Sequence, residues 1–369
     1  MKMSQKNLGA CLSGLLCVMV LVCGTSEASR AAETTSLEGV NAGIRHPGKI
    51  MMFGVARAGS TVVAVGIHGM VVLSADNGRS WEQSEDTPVT DTLTNIAFAD
   101  AKHGWAIGHG GVVLHTIDGG RSWMKVLDGK AAAQLALDAV NAEPDTTKRP
   151  SDLKKAKRLV REGPDKPFLD VLPDTDNPDR ALVVGAYNLA VRTSDGGKSW
   201  EWIGNRLANP RELHLYGIAG DENQIFLVGE QGLILKTSDE IANCEELSSP
   251  YDGTFFGLYK AARDTLVVFG LGGKAFWSID RGENWQPVAI ETTQSISAGI
   301  HLKNGNDLLA TQGGQFFLSS DNSRHFSRLT SISSAAVSGM VENEDGSVTV
   351  VGLRGAMRIP ADLLEASGS

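Results

Sequence analysis

The eight residues Thr193-Ser194-Asp195-Gly196-Gly197-Lys198-Ser199-Trp200 follow the pattern Ser/Thr-x-Asp-x-Gly-x-Ser/Thr-Trp. An Asp side chain can accept hydrogen bonds from the N–H groups of a tight turn, and Gly adopts backbone conformations that other residues resist. A Trp directly after the turn buries a large apolar surface. The pattern therefore predicts a turn between two strands, which we call the Asp turn.

The Asp turn recurs along the chain. Copies lie at residues 74–81 and 116–123, a copy at 278–285 has Asn284 in place of Ser/Thr, and a weaker copy at 319–326 has Ser323 for Gly and Phe326 for Trp. Most copies are about 41 residues apart, and one interval of 77 residues is larger. A fixed period of this length indicates an array of repeats. The aligned turn residues are Asp76, Asp118, Asp195, Asp239, Asp280, Asp321 and Asp362, with Trp81, Trp123, Trp200 and Trp285.

Each repeat contains four short β-rich segments. A Gly-x-x-Gly-like turn precedes the third segment, for example at residues 66–69 and 229–232, and the Asp turn follows it. Four short strands per repeat, repeated seven times, predict an all-β fold, a seven-bladed β-propeller of four-stranded blades that occupies residues 51–369. The last repeat lacks its fourth strand. We expect the lead-in at residues 29–50, through its segment Gly39–Ile50, to supply that strand and close the ring.

The long interval between the second and third Asp turns predicts a small helical insert between blades 2 and 3, at about residues 128–167. Residues 131–139 have helical composition, and Ser151 can cap a second helix at 152–162. Leu153, Ala156, Leu159 and Val160 form an apolar stripe on that helix. Its basic residues form either a solvated face or a surface that docks a partner, namely Lys154, Lys155, Lys157, Arg158 and Arg161.

The N-terminus resembles an export signal. Lys2 and Lys6 precede an apolar run, and small residues near Ala28 suit a cleavage site, so residues 1–28 are predicted to be a secretory signal peptide. The alternative is a lipoprotein signal that ends at Cys23. Cleavage near Ala28 would leave a soluble periplasmic protein with Cys244 alone and a formal charge changed from −9 to −10 by the loss of two Lys and one Glu. This acidic balance argues against nucleic acid as a partner.

The residues inside the Gly-x-x-Gly turns vary between repeats, whereas the Asp turns do not. These turns and the crossovers between blades lie at the same end of a blade, so we expect this rim to be the binding face. The alternative is that the turn tips vary because nothing constrains them. Leu271 also varies in its turn, and the candidate partner-binding residues on the rim are His68, His109, Tyr187, Asn188, Glu230, Gln231, Gln312 and Arg354.

No pattern indicates catalysis or a cofactor. His68 and His109 occupy turns of adjacent blades, but no group of His, Cys and carboxylates has metal-site spacing, so no metal is predicted. A glycosidase would need two facing carboxylates, and no motif selects a pair. Arg358-Ile359-Pro360 matches a motif of sialidases, but it falls in the third strand of the last repeat and is interpreted as coincidence. We expect a protein that is not an enzyme.

The Asp turn resembles the Asp box, or BNR repeat, of sialidases and other secreted propellers, where it serves the fold. Together with the signal sequence and the Gly-x-x-Gly rhythm, the repeats at residues 45–362 resemble the Ycf48/Hcf136-like family of photosystem II assembly and stability factors. Residues 162–170 are similar to a proteobacterial branch that accompanies resistance-nodulation-division (RND) exporters. The resemblance implies a non-enzymatic propeller that binds newly made membrane proteins.

Three functions therefore remain as hypotheses. The first is an exported, monomeric scaffold or assembly factor that binds a membrane-protein complex, such as an RND-type exporter, without a cofactor. The second is a propeller that binds carbohydrate or another small ligand in its central channel. The third is a glycosidase whose carboxylates the sequence does not reveal.

Overall fold

A computed structural model describes residues 46–142, 149–221, 224–237, 241 and 243–365, apart from the side chains of Arg149, Asp221 and Arg263. All of them belong to the unit Gly43–Ser369. The predicted signal peptide, the lead-in up to residue 45 and the turn residue Asp239 lie outside the described residues.

The strands of the described residues form seven sheets. The first sheet contains β1 (Met52–Ala58), β2 (Thr61–Gly66), β3 (Val71–Ser74) and β4 (Glu82–Gln83). The second contains β5 (Leu93–Phe98), β6 (Gly104–Gly108), β7 (Val113–Thr116) and β8 (Met124–Leu127). The third contains β9 (Phe168–Pro173), β10 (Ala181–Gly185), β11 (Ala190–Thr193) and β12 (Glu201–Trp202). The fourth contains β13 (Leu215–Asp221), β14 (Gln224–Gly229), β15 (Ile234–Thr237) and β16 (Cys244–Glu246).

The last three sheets vary in size. The fifth contains β17 (Phe255–Lys260), β18 (Leu266–Gly270), β19 (Ala275–Ser278) and β20 (Gln286–Pro287). The sixth has an additional strand that pairs in parallel at its edge, and contains β21 (Ala289–Ile290), β22 (Ile296–His301), β23 (Asp307–Thr311), β24 (Phe316–Ser319) and β25 (His325–Arg328). The seventh contains β26 (Val337–Glu342), β27 (Val348–Gly352) and β28 (Gly355–Ile359).

The sheets are arranged in a closed ring. Within each sheet, consecutive strands pair antiparallel, apart from the additional strand β21. The first strand of each meander contacts the first strands of the sheets on either side, and β26 contacts β1. These first strands therefore surround the centre of the ring, and the contact between β26 and β1 closes it.

The core lies between adjacent sheets. Val63 and Val65 of the first sheet pack against Leu93, Ala106 and Leu114 of the second. The second strands are continuous apolar runs because both of their faces are covered, as in Val62–Val65, where no residue is exposed. Each fully buried aliphatic side chain contributes about 1.5–3 kcal/mol relative to an exposed one. The ring is therefore stabilised by contacts between sheets as well as within them.

Two helices follow β8 and precede β9, namely α1 (Gly129–Ala142) and α2 (Arg149–Glu162). Both begin before the predicted positions. Asp128 caps α1, since its carboxylate accepts hydrogen bonds from the backbone N–H groups of Lys130 and Ala131 at 3.1 and 3.0 Å. The prediction that Ser151 caps the second helix is wrong, because Ser151 lies inside α2.

The apolar stripe of α2 is narrower than predicted. Ala156 packs with Ala136 and Val140 of α1, and Leu153 and Leu159 border this cluster together with Trp202 of β12. Val160 is instead 41% exposed. The helix pair therefore covers the outer strand of the third sheet.

The seventh sheet lacks a fourth strand in the described residues. The prediction that the lead-in adds a strand here is wrong for residues 46–50, because Pro47–Lys49 form a short 3-10 helix. This helix contacts β28, and Gly48 lies so close to Trp81 that a Cβ atom there would be 2.6 Å from the indole ring. Residues 47–49 thus pack against the edge of the sheet without pairing as a strand.

The Asp turns have the predicted hydrogen bonds. In the first, the carboxylate of Asp76 accepts bonds from the Ser74 hydroxyl at 2.8 Å, from the Ser80 N–H at 2.8 Å and from the Ser80 hydroxyl at 2.6 Å. The same pattern occurs around Asp118, Asp195, Asp280 and Asp321. The Ser199 side chain and N–H are the main donors that lower the pKa of Asp195 to about 2.

Asp362 does not form an Asp turn. It lies in a short 3-10 helix, Ala361–Leu364, after the last strand. The fixed spacing aligned it with the other turns, but up to residue 365, where the described part of the chain ends, no fourth strand follows it for a turn to join.

In the described part of the chain, no helix has the length and apolar character needed to cross a membrane.

Candidate binding rim

The two ends of the sheets carry different turns. The Gly-x-x-Gly turns join the second strand to the third, as at residues 67–69 between β2 and β3, and the connections from one sheet to the next lie at this same end. The Asp turns join the third strand to the fourth at the opposite end. We call the first end the rim and the second the Asp-turn face.

Each Gly-x-x-Gly turn lies between two connections, because its first Gly approaches the segment before its sheet and its last Gly approaches the segment after it. A Cβ atom on Gly66 would lie 2.2 Å from the carbonyl oxygen of Met51, and one on Gly69 would lie 2.0 Å from that of Val89. His68, between them, has a left-handed backbone with φ of 55°, as do Tyr187 and Gln231 in their turns. This conformation projects the middle side chain away from the sheet.

Most of the predicted rim residues are accessible. Glu230 and Gln312 are half-buried, and the exposed side chains are His68, His109, Tyr187, Gln231, Leu271 and Arg354. Three of the seven large apolar side chains that are most exposed in the described residues lie in these turns, namely Tyr187 at 48%, Leu271 at 45% and Leu353 at 48%. Exposed apolar side chains at turn tips favour a contact surface.

Asn188 is a correction to the predicted rim. It occupies the position of the closing Gly of its turn, with φ of 62°, and its side chain is buried. Its amide donates to the carbonyl oxygen of Gly204 at 2.8 Å, and its oxygen accepts from the Asn209 amide at 2.9 Å. Asn188 therefore anchors the loop behind the turn and is not accessible to a partner.

The two turn histidines do not form part of a metal-binding group. Among the described residues, no cluster of three or more His, Cys, Asp or Glu side chains is placed to hold a metal ion.

The basic residues of α2 divide into two sets. Arg158 pairs with Glu212 at 2.8 Å, and Lys155 lies 3.5 Å from the carbonyl oxygen of Pro210, so these two fasten the helix to the loop before β13. The other three side chains are exposed on the outer side of the helix, and these are Lys154, Lys157 and Arg161. Lys155 and Arg158 thus fit neither interpretation of the basic face, and the choice between a solvated face and a docking surface concerns only Lys154, Lys157 and Arg161. A groove of about 730 Å³ lies between α2 and this loop.

A repeated β-bulge in the first strands was not predicted. The pairing of β13 with β14 shifts register between Leu215 and Gly217, which leaves Tyr216 as the extra residue. The same shift occurs at the rim end of every first strand. A sequence signal existed, because a Gly follows the bulged residue in four repeats and Gly inside a strand often marks a bulge. The bulged residues are Phe53, Thr94, Leu169, Tyr216, Phe256, Ser297 and Ser338.

The bulged residues Tyr216 and Phe256 extend an aromatic cluster from the rim toward the centre of the ring. The ring centroids of Tyr187 and His214 are 4.5 Å apart, those of His214 and Tyr216 are 6.0 Å apart, and those of Tyr216 and Phe256 are 5.6 Å apart. The rings of each pair meet edge to face, the arrangement that aromatic pairs prefer. Glu230 borders the cluster, and its carboxylate accepts a hydrogen bond from the backbone N–H of His214 at 2.9 Å.

The residue after the bulge is polar in two sheets, Asn95 in the second and Asp170 in the third, whereas the other five sheets have Gly or Ala there. Asp170 accepts hydrogen bonds from the side chain of Asn95 and from the N–H groups of Val171 and Ile218, at 2.8–2.9 Å, and so joins the second, third and fourth sheets. Burial raises the pKa of Asp170 to about 7, although these hydrogen bonds act in the opposite direction. Asp170 thus ties the ring together behind the rim.

A protein-family model and several solved structures match this chain. The family model described as "Photosynthesis system II assembly factor YCF48" matches residues 74–147 and 154–363. No curated protein sequence matches this chain well enough to count as a relative.

Solved structures share this fold. YCF48 bound to a D1 peptide matches with a TM-score of 0.60 at 15% identity, over 86% of this chain and 95% of that one. YCF48 from Cyanidioschyzon merolae matches with a TM-score of 0.61 at 15% identity, over 86% and 97%. A GH74 xyloglucanase from Xanthomonas campestris matches with a TM-score of 0.62 at 11% identity, over 87% of this chain and 53% of that one. The sheets therefore form a β-propeller.

Proposed function

Because this chain belongs to the family of the photosystem II assembly factor YCF48, whose model matches residues 74–147 and 154–363, we propose that it is a non-enzymatic factor that holds a segment of a membrane protein on its rim. Each of the seven sheets is one blade of a seven-bladed ring, and the helix pair is an insert between blades 2 and 3. The protein works as a monomer, exported to the periplasm.

The observation that carries this proposal is the contrast between the two faces. The repeated Asp and Ser/Thr side chains of the Asp turns are engaged in hydrogen bonds of their own turn, and the exposed Ile117 and Ile279 stand apart from each other's turns. By contrast, the exposed Tyr187 of the rim continues into the aromatic cluster of His214 and Tyr216. The solved complex of YCF48 with a D1 peptide supports a peptide as the ligand class in this family. We propose a membrane protein other than a photosystem subunit, with an RND-type exporter as the first candidate.

The test is capture of partners from membranes of the native host by the full ring, identified by cross-linking and mass spectrometry. The triple variant Tyr187→Ser, Leu271→Ser, Leu353→Ser should lose most of the captured protein. A matched control changes exposed apolar residues of the Asp-turn face, Ile117→Ser and Ile279→Ser, which are 56% and 62% exposed. Equal capture by the rim variant and the control would contradict the proposal.

The insert can be tested without removing it. Deletion would expose the apolar surface of Trp202, so the exposed charges are changed instead, as Lys154→Ser, Lys157→Ser and Arg161→Ser. We expect a smaller loss of capture than from the rim variant, because these side chains lie on the outer side of α2. Unchanged capture would assign the whole contact to the rim.

The glycosidase alternative draws support from the GH74 match, which at 11% identity concerns the fold alone. Turnover of a broad set of aryl glycosides by the purified ring would overturn the non-enzymatic proposal.

A further inference from the structure

The carboxylate of Glu230 differs from its neighbours at this end of the ring. Its side chain is 27% exposed, and no described Lys or Arg lies within ion-pair distance of it. The nearest titratable nitrogen is Nδ1 of His214, at 3.7 Å from Oε1. By contrast, Glu212 pairs with Arg158 at 2.8 Å, Glu246 with Arg211 at 3.1 Å and Asp165 with Lys166 at 2.7 Å.

The groups around Glu230 leave its charge uncompensated at neutral pH. Burial lowers the pKa of His214, although Glu230 acts in the opposite direction, so the imidazole is neutral. Burial and then the negative charge of Glu230 raise the pKa of Tyr216 to about 12, so its phenol keeps its proton. A half-buried carboxylate next to neutral aromatic groups is a favourable place for a cation.

The aromatic rings supply a second attraction for a cation. The faces of Tyr and Phe rings are electron-rich and attract ammonium and guanidinium groups within about 6 Å of the centroid. One such contact already exists here, since Nζ of Lys166 lies 5.3 Å from the centroid of the Tyr187 ring. Lys166 is balanced by Asp165 and Glu162, so it does not neutralise Glu230.

We propose that Tyr187, His214, Tyr216, Glu230 and Phe256 form a receptor for one basic side chain, Lys or Arg, of an extended polypeptide segment bound at the rim. Glu230 pairs with the charge, the phenol and ring faces surround the alkyl stem and head group, and the apolar tips at Tyr187 and Leu271 contact the flanking residues. This rests on the proposed function, because it specifies the chemistry of the segment that the rim holds.

The charge on the whole chain is consistent with this choice. The formal net charge is −9, which favours the approach of a basic segment over an acidic one. Tyr216 and Phe256 lie at the rim ends of the first strands, so the receptor opens at the mouth of the central channel. An extended segment that crosses the rim can therefore place one side chain into the receptor while its neighbours stay on the turns.

The test uses dye-labelled peptides Ac-Gly-Ser-Phe-X-Phe-Ser-Gly-amide, with X as Arg, Lys, citrulline or Glu, and fluorescence polarisation on the full ring. Citrulline keeps the shape of Arg but has no charge. We expect the Arg and Lys peptides to bind about 5-fold more tightly than the citrulline peptide, and the Glu peptide to bind most weakly. The preference should weaken as salt is raised.

Glu230→Gln should abolish the preference for Arg over citrulline while retaining the weak binding of the citrulline peptide. The matched control is Glu246→Gln, because Glu246 already pairs with Arg211. Tyr216→Leu should weaken the binding of the Arg and Lys peptides more than that of the citrulline peptide, and thermal unfolding confirms that each variant is folded.

Equal binding of the Arg and citrulline peptides by the wild-type ring would overturn the receptor, and so would the absence of any binding of the Arg peptide. Neither result would contradict the proposed function if the ring still captures membrane proteins through its rim. Conversely, selective binding of the Arg peptide without capture of any membrane protein would leave the receptor standing and remove the proposed function.

Discussion

The Asp-turn face and the rim of the same ring are built on opposite principles. On the Asp-turn face each carboxylate accepts hydrogen bonds from its own turn, so Asp76 and Asp195 serve to hold the turn backbone. On the rim, glycines let the turn backbone approach the connections before and after each sheet, and the side chains between them point outward. Repeated residues therefore serve the fold, whereas residues that vary between repeats are the ones the fold leaves unconstrained.

The Asp turn at residues 319–326 differs from the others, because Ser323 at its usual Gly position bonds through its side chain to a residue outside the turn. In the sixth sheet the hydroxyl of Ser323 donates to Asp307 at 2.7 Å, and Asp307 also lies 2.7 Å from Nδ1 of His301. Asp307 is fully buried, and Tyr259 extends the network through a 3.1 Å contact with Ser323. Here the turn is joined to its own sheet by a buried carboxyl group.

The largest effect is expected from Asp307→Ala. The substitution leaves the buried Ser323 hydroxyl and His301 without their acceptor, and we expect a loss of about 3 kcal/mol in the free energy of unfolding. Urea unfolding followed by Trp fluorescence measures it. Asp362→Ala, in the exposed short helix, is the control and should change stability by less than about 0.5 kcal/mol. Similar losses in both variants would show that the network does not stabilise the sheet.

The next effect concerns Asp170, the buried carboxylate behind the rim. Its pKa is raised from 3.8 to about 7 in the folded protein, so its contribution to stability is complete below pH 3.8 and is lost as the pH rises through 7. Between pH 5 and pH 8, we expect the free energy of unfolding of wild type to fall by about 2 kcal/mol relative to that of Asp170→Asn.

The comparison of wild type with Asp170→Asn is needed because His115 changes the pH dependence of stability in the opposite direction. Burial lowers the pKa of His115 below 6.5, so the fold loses stability as the pH falls below that value. This contribution is common to both proteins and cancels in the difference. Parallel stability curves for wild type and Asp170→Asn would contradict the prediction for Asp170.

A smaller effect is expected from Ser323→Gly, which restores the usual residue of the Asp turn. Gly would relieve a left-handed backbone with φ of 64°, a gain of up to about 1 kcal/mol, but would remove a hydrogen bond to a buried charge worth about 1.5–3 kcal/mol. We expect the free energy of unfolding, measured by chemical denaturation, to fall by about 1 kcal/mol. A more stable variant would show that the backbone term dominates, and Ser320→Ala serves as an exposed control.

The smallest effect is expected on the rim itself. Leu271→Ser should change the free energy of unfolding by less than about 0.5 kcal/mol, because the side chain is 45% exposed. Leu266→Ser, in the same sheet but 2% exposed, should cost several times more. A loss above about 1.5 kcal/mol for Leu271→Ser would mean that this turn serves the fold as the Asp turns do.

Several features of the ring follow from local patterns and were predicted well. The Asp turns, the alternation of short strands and the two helices depend on hydrogen bonds and apolar periods within about 40 residues, and such patterns are visible in the sequence. The family resemblance is confirmed by the match over residues 74–147 and 154–363. Asp362 was predicted wrongly as a turn residue because its spacing fitted, although it lies in a short 3-10 helix.

The site was predicted less completely, for physical reasons. Asn188 looked like a turn tip, but its contacts with Gly204 and Asn209 arise from a loop 16–21 residues further along the chain. Tyr216 and Phe256 come from different repeats and meet only because the first strands lie side by side around the centre. Lys155 and Arg158 looked equivalent to the other basic residues of α2 until Pro210 and Glu212 were found beneath them.

The repeat can be read from the residues alone, because Ser194–Trp200 and its copies encode a turn whose hydrogen bonds are made within eight residues. Which side chains remain accessible depends on the packed fold, since distant segments cover some of them. Glu230 illustrates this, because its carboxylate has no described Lys or Arg beside it while Glu212 and Glu246 each have an arginine. Whether a charge is compensated depends on distances across the fold, and those distances are set by the packing of the sheets.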